Sequence, residues 1–122
     1  MMNKEQATAF FKRVMDICGE GDVAGLKTVC ASNVKANLFG HHHLDFKALE
    51  DRLQYVKQHE RKREYQVHDV FVDGNKIAVR AHFKAQDDVV GKYDNDLIAI
   101  YHLNVQGQIE KMFAFSDVPV VY

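Results

Sequence analysis

Val70-Phe71-Val72-Asp73-Gly74-Asn75-Lys76-Ile77-Ala78-Val79-Arg80 is the stretch on which the fold turns. Apolar and β-branched residues alternate on both sides of Asp73-Gly74-Asn75, and a glycine among Asx residues supplies the positive φ of a tight hairpin. Positions paired across such a turn sum to a constant, so one face holds Val72 opposite Ile77, Val70 opposite Val79, His68 opposite Ala81 and Gln66 opposite Phe83. That face is apolar and reads as the inner one. The other carries Asp69 opposite Arg80, Phe71 opposite Ala78, Val67 opposite His82 and Tyr65 opposite Lys84, a mixed surface suited to solvent or to a partner subunit.

Downstream the strand-like period continues. It predicts strands over residues 65–72, 76–85, 96–105 and 108–118, with 87–95 as a looser polar connection and Gln106-Gly107 as a second hairpin turn. That turn sets Asn104 opposite Ile109, His102 opposite Lys111, Ile100 opposite Phe113, Ile98 opposite Phe115 and Asp96 opposite Asp117. Ile98, Ile100, Phe113 and Phe115 then form an apolar wall, the expected side of a ligand pocket.

Upstream the period is helical. Ala7, Phe10, Phe11, Val14, Ile17 and Cys18 recur three or four apart over residues 3–19, and Gly19 and Gly21 stop that helix. Asp22 caps a short second helix through Val23, Leu26, Val29 and Cys30, ending near Ser32-Asn33, after which residues 34–39 extend as a strand. Asp45 caps a third helix with Phe46, Leu49, Leu53 and Val56 on one face. Lys57, Arg61, Lys62 and Arg63 crowd its far end as a solvated, dipole-compatible cluster. Helices first and strands after them define an α+β class.

The 122 residues hold 16 Lys+Arg against 17 Asp+Glu, 47% hydrophobic residues and one proline, which reads as a single domain over 1–122. Without a basic stripe there is little grip on a phosphate backbone, so no nucleic-acid partner is expected. No apolar run nears the roughly 18 residues of a membrane span, and none is expected to meet a membrane. Met1-Met2-Asn3-Lys4-Glu5-Gln6 enters a charged amphipathic pattern with no apolar signal core, so a cytoplasmic protein is expected. Cys18 and Cys30 match no zinc or redox spacing and read as buried thiols. Of His41, His42 and His43, only the first and third can share a side of an extended segment, and no third ligand completes a metal site.

The order of elements, with Phe10-Phe11, Gly21-Asp22, Leu26 and Val29, Asn33-Val34, Phe39-Gly40, the Val70 to Arg80 hairpin and Gly107-Gln108-Ile109 followed by Asp117, resembles the nuclear transport factor 2-like superfamily, in particular its SnoaL-like branch. The resemblance implies three N-terminal helices packed in a strongly curved, mainly antiparallel sheet (α-α-β-α-β-β-β-β), a cone with an internal pocket. It implies a small apolar ligand, chemistry without a cofactor, and a homodimer through the outer sheet face. Asp117 matches the acid that SnoaL-like cyclases carry near the end of the final strand, with His68 or His102 as its proton partner. The hairpin register separates His102 from Asp117 by roughly 17 Å, and it sets Asp96 beside Asp117, where a close second carboxylate would raise one pKa. Val14 and Phe39 are the expected ligand contacts on the helical side, and His43 at the pocket mouth. The carboxylate and tyrosine of the ketosteroid-isomerase branch are replaced by Asn37 and Val14, which disfavours that reaction. Two functions stay open: cofactor-free acid/base chemistry on a small apolar substrate, and a non-catalytic ligand-binding or dimerisation module.

Overall fold

A computed structural model describes residues 2–118. Three helices, α1 (Lys4–Glu20), α2 (Val23–Val29) and α3 (Phe46–His59), accompany six strands: β1 (Cys30–Leu38), β2 (His41–Leu44), β3 (Glu60–Asp73), β4 (Lys76–Asp87), β5 (Gly91–Leu103) and β6 (Ile109–Ser116). Each helix starts where its sequence provides an N-cap. Asn3 and Gln6 exchange side chain to backbone hydrogen bonds at α1, while Asp22 and Asp45 accept from the Gly25 and Ala48 N–H at α2 and α3. Gly21 ends α1 in the left-handed region at φ 64°, its N–H returned to the last turn.

The strands form one sheet in the order β2-β1-β6-β5-β4-β3, parallel only where β1 meets β6. Ala7, Phe11, Val14 and Ile17 of α1 and Leu49, Leu53 and Val56 of α3 are the buried stripes, and they pack on one face of the sheet. Phe11, Ile77, Ile109, Val29, Val34 and Val79 are the largest wholly buried side chains. This is the expected α+β cone, with β2 and β3 as open edges. No helix among the described residues is long and apolar enough to cross a membrane. The expected domain over 1–122 also takes in residue 1 and residues 119–122, which lie outside the described residues.

Several boundaries differ from the expectation, each for a local reason. The helix α2 ends at Val29, and β1 takes over at Cys30 because Cys30 pairs with Ile109 of β6, a long-range contact that no local pattern reveals. The three histidines extend as β2 by folding back on β1 through a Phe39-Gly40 turn, with φ 53° and 88°. Residues 61–63 lie in β3 rather than at the end of α3, since Glu60 already pairs with Asp87. Strand β5 reaches back to Gly91, which shortens the loop to residues 88–90.

The first hairpin keeps its register beside the turn, where Val72 faces Ile77 and Asp69 faces Arg80; in the second, Leu103 rather than Asn104 pairs with Ile109, and past that irregularity His102 faces Lys111 and Ile98 faces Phe115 as expected. Farther from the first turn β3 carries a bulge. His68 is its extra residue, so Val67 pairs with Ala81 and Tyr65 with Phe83, one position away from the expected partners. The apolar wall is a correction of a different kind. Ile77, Val79, Ala81 and Phe83 are buried, and β5 sets Tyr101, Ala99, Leu97 and Asn95 opposite them. The inner face of β5 and β6 is therefore Asn95, Leu97, Ala99, Tyr101, Met112 and Ala114, all buried. Ile98, Ile100, Phe113 and Phe115 alternate to the outside.

Candidate functional site

Between α1, α3 and the inner sheet lies a partly enclosed cavity of about 130 Å³. Its wall is mostly apolar, built from Phe11 and Val14 of α1, Leu53 of α3, Leu97 and Ala99 of β5 and Met112 of β6. Small side chains on the strands leave the space, because Ala99 and Ala114 stand where the outer face has Ile and Phe. The polar lining is Arg52 of α3, Arg63 of β3, Tyr93, Asn95 and Tyr101 of β5, Ser116 of β6 and the Cys18 thiol of α1.

A second bulge aims Arg63 inward. Arg61 pairs with Gln86 and Glu64 with Lys84, so residues 62 and 63 share the single partner Ala85, and Lys62 takes φ 53° to make the bend. The Arg63 guanidinium lies 4.9 Å above the Phe83 ring and against Gly19, where a Cβ would come within 2.9 Å of Nε. Its Nη1 donates to Glu60 Oε1 at 2.5 Å, and the Glu60 side chain is 0% exposed. The other Glu60 oxygen, Oε2, is buried without a hydrogen-bond partner among the described residues. Arg52 stands over Phe39, 5.7 Å from the ring centre.

Burial dominates the acid–base behaviour of the lining. It pushes the Tyr101 hydroxyl far up and raises the Cys18 thiol, although Arg63 and Arg52 pull the thiol back down. Beside the cavity, Tyr55 of α3 donates to Asp87 and is pushed up to about 12, first by burial and then by that bond. Burial also acts to raise Asp87, but the Val89 and Val90 N–H groups and the Tyr55 hydroxyl outweigh it and hold the carboxyl below its ordinary value. This network ties α3 to the turn between β4 and β5.

Val14 and Phe39, the expected ligand contacts on the helical side, line the cavity. The remaining predicted residues stand elsewhere. His43 is exposed on β2, its N–H donated to Asn37 Oδ1 at 2.9 Å. His68 is exposed at the β3 bulge, so it does not face inward among aliphatic neighbours. His102 is half-buried on the outer face with its ring 5.6 Å from Phe113, and burial with Lys76 and Lys111 lowers its pKa. Asp117 is exposed and accepts the Asp96 N–H at 3.0 Å. The two carboxylates are neighbours in register, yet they do not form a shared-proton pair: Asp96 bonds His82 Nδ1 at 2.8 Å and is lowered by it. His82 also bonds Asp94 through Nε2, so its own pKa is raised, first by Asp96 and then by Asp94. Ile98 and Phe115 are 45% and 57% exposed, outside the cavity with Ile100 and Phe113. Among the described residues no three His, Cys, Asp or Glu side chains stand together as a metal site.

Sequence reasoning missed Arg63, Glu60, Arg52 and Asn95. Carrying the alternation of β5 back from Leu97 would have turned Asn95 and Tyr93 inward. Nothing local marks Arg63, whose orientation depends on a bulge.

A helical layer over the inner face of an open six-stranded sheet, with an apolar cavity between them, defines the class of nuclear transport factor 2-like cones. Residues 11–112 match the model of the SnoaL-like domain, and the chain belongs to that family. The fold is similar to IdmH, a putative polyketide cyclase from Streptomyces antibioticus, at 15% identity and TM-score 0.75, covering 92% of each chain. It is similar also to TsrD from Streptomyces laurentii (13% identity, TM-score 0.76, 96% of this chain and 92% of that one). An NTF2-like protein from Burkholderia xenovorans matches at 15% identity and TM-score 0.76, covering 96% and 93%. No protein of curated function matches the sequence.

Proposed function

We propose that the chain is a SnoaL-like pocket protein that binds a small, mainly apolar, oxygen-bearing molecule between α1, α3 and the inner sheet. One observation carries this reading: the cavity combines an apolar wall with the inward donors of Arg63, Asn95 and Tyr101, while none of the seven histidines lines it. Such donors hold and polarise an oxygen, and they stabilise an oxyanion if one develops. Proton transfer by Asp117 with His68 or His102 would need these groups in the cavity, so binding is the better-supported half of the expected pair. A putative polyketide cyclase among the structural relatives makes cyclic carbonyl compounds the first ligands to try. Methyl NMR on a panel of them is the test. Shifts at Val14, Leu53 and Leu97 are expected, and shifts confined to Ile98 and Ile100, or none, would overturn the reading.

A second reading concerns assembly, and the outer sheet face supports it. Phe71, Ile98 and Phe115, exposed by 67%, 45% and 57%, form an apolar band with Ile100 and Phe113. At one end of the band Lys76, His102 and Lys111 make a row across β4, β5 and β6. Toward the other end lie Asp94, Asp96 and Asp117. A second copy related by a two-fold axis through the band sets each lysine row against the partner's acidic end, which makes the face self-complementary. Sedimentation is expected to give a dimer that weakens with salt, and a monomer at tens of micromolar would refute it. The free thiols Cys18 and Cys30 suit a reducing, cytoplasmic setting.

A further inference from the structure

The proposed ligand has a chemical signature that the cavity itself specifies. Its charged lining consists of two guanidinium groups, Arg52 and Arg63, and no Asp, Glu or His among the described residues contributes to it. The Arg63 side chain is 15% exposed, and its hydrogen bonding among the described residues is the single contact from Nη1 to Glu60 Oε1. A guanidinium carries five N–H donors in a planar fork, so four donors of this half-buried cation are open to water or to an incoming acceptor.

Glu60 does not fill that role twice. It lies behind Arg63, outside the cavity lining, and its remaining oxygen is itself short of a donor. Phe83 covers one face of the guanidinium and Gly19 admits its Nε edge, so the side chain is held from three directions. An arginine clamped in this way is a preorganised receptor, and the partner that matches its planar fork is a carboxylate. The volume sets the size of the rest. About 130 Å³ is close to the roughly 150 Å³ apolar cavity known to hold benzene, so one six-membered ring fits.

We propose that the cavity selects a carboxylate borne on a single ring, the carboxylate on Arg63 and the ring against Phe11, Val14, Leu97 and Ala99. This rests on the small-molecule reading above and adds the anionic class to it. Charge-assisted hydrogen bonds are about twice as strong as neutral ones, which predicts at least about tenfold tighter binding of an acid than of its isosteric amide.

Benzoate and benzamide are the probes, titrated calorimetrically at pH 7 and constant ionic strength, with methyl and arginine Nε–H NMR to locate each. Benzoate binding at least tenfold tighter, with shifts at Arg63 Nε–H and the Leu97 methyls, is the expected result. Equal affinities inside the cavity would overturn the carboxylate inference and leave the pocket reading standing. Failure of both, with no cavity shifts, would remove the pocket reading as well. Benzoate shifts limited to Lys76 and Lys111 would also overturn the inference, because they mark general attraction to a basic surface. The double variant E60Q/R63M removes both charges of the buried pair at similar volume. It is expected to bind the two probes alike, and a retained preference for benzoate would locate the selectivity elsewhere.

Discussion

The two faces of the β5–β6 hairpin invert the usual expectation. Inside stand Ala99, Ala114, Asn95 and Tyr101, and outside stand Ile98, Ile100, Phe113 and Phe115. The inner face is trimmed at Ala99 and Ala114, where a large side chain would fill the cavity, while Leu97, Tyr101 and Met112 on the same face keep their bulk. The outer face keeps its bulk, as the second copy proposed above would require. Apolar size alone therefore misassigns the faces of a strand whenever the inner side is partly hollow and the outer side carries large apolar residues.

Matched truncations should break or sharpen that contrast. Ile77→Ala, at 1% exposure on the inner face, is expected to cost about 2–5 kcal/mol in urea denaturation, with the spread set by how well the site collapses. Ile98→Ala, at 45% exposure, is expected to cost less than about 1 kcal/mol of monomer stability. Equal costs would mean that the outer band is core. Phe115→Lys tests what covers the band: about 30-fold weaker dimerisation by sedimentation is expected, from a hot-spot loss of about 2 kcal/mol, with the melting curve of the monomer unchanged.

Phe39 offers a subtler probe of the inner side. As a bulky residue at φ 53° it costs its turn about 1–3 kcal/mol, and it remains there with its ring on the cavity and Arg52 above it. Phe39→Asn relaxes the turn, so the loss of stability is expected to stay within about 1 kcal/mol while ligand affinity falls several-fold. An affinity unchanged in that variant would detach Phe39 from the site.

The smallest effect belongs to His82 on the outer face. Its folded pKa is raised by Asp96 and Asp94, so the stabilisation is fully present below the unfolded value of about 6.5 and is lost as pH rises through the folded value. A gentle decline in stability over that window is expected, absent in His82→Gln. A decline that survives the substitution would assign it to another group.

How much of this was legible follows from what each feature depends on. The caps at Asp22 and Asp45, the two hairpin turns and the register beside the first are local, and the sequence states them openly. Both β3 bulges are not: one turns His68 outward and the other turns Arg63 inward, and neither has a glycine to announce it. The β4–β5 register was the link that could have been used. Joining it to the β4 strand of the first hairpin, whose Ile77, Val79, Ala81 and Phe83 are inward as the alternation predicts, orients β5 and sets Ile98 and Ile100 outside. Cys30 and the β1–β6 pair depend on a partner almost eighty residues away, which no window on the sequence contains.

That pair has a consequence for how the chain comes to its shape. Among the described residues the strand β6 is the only bridge between the β1–β2 hairpin and the β5-β4-β3 meander, so these two parts of the sheet share no ladder until β6 arrives. Synthesis delivers it after the other described helices and strands. The early helices and β1 must wait, half-formed and with apolar stripes uncovered, for more than half the chain to be made, and loop closure over that span is slow. Refolding limited by closure of that span, slower than the forming of either half, is the kinetic signature this order of strands predicts.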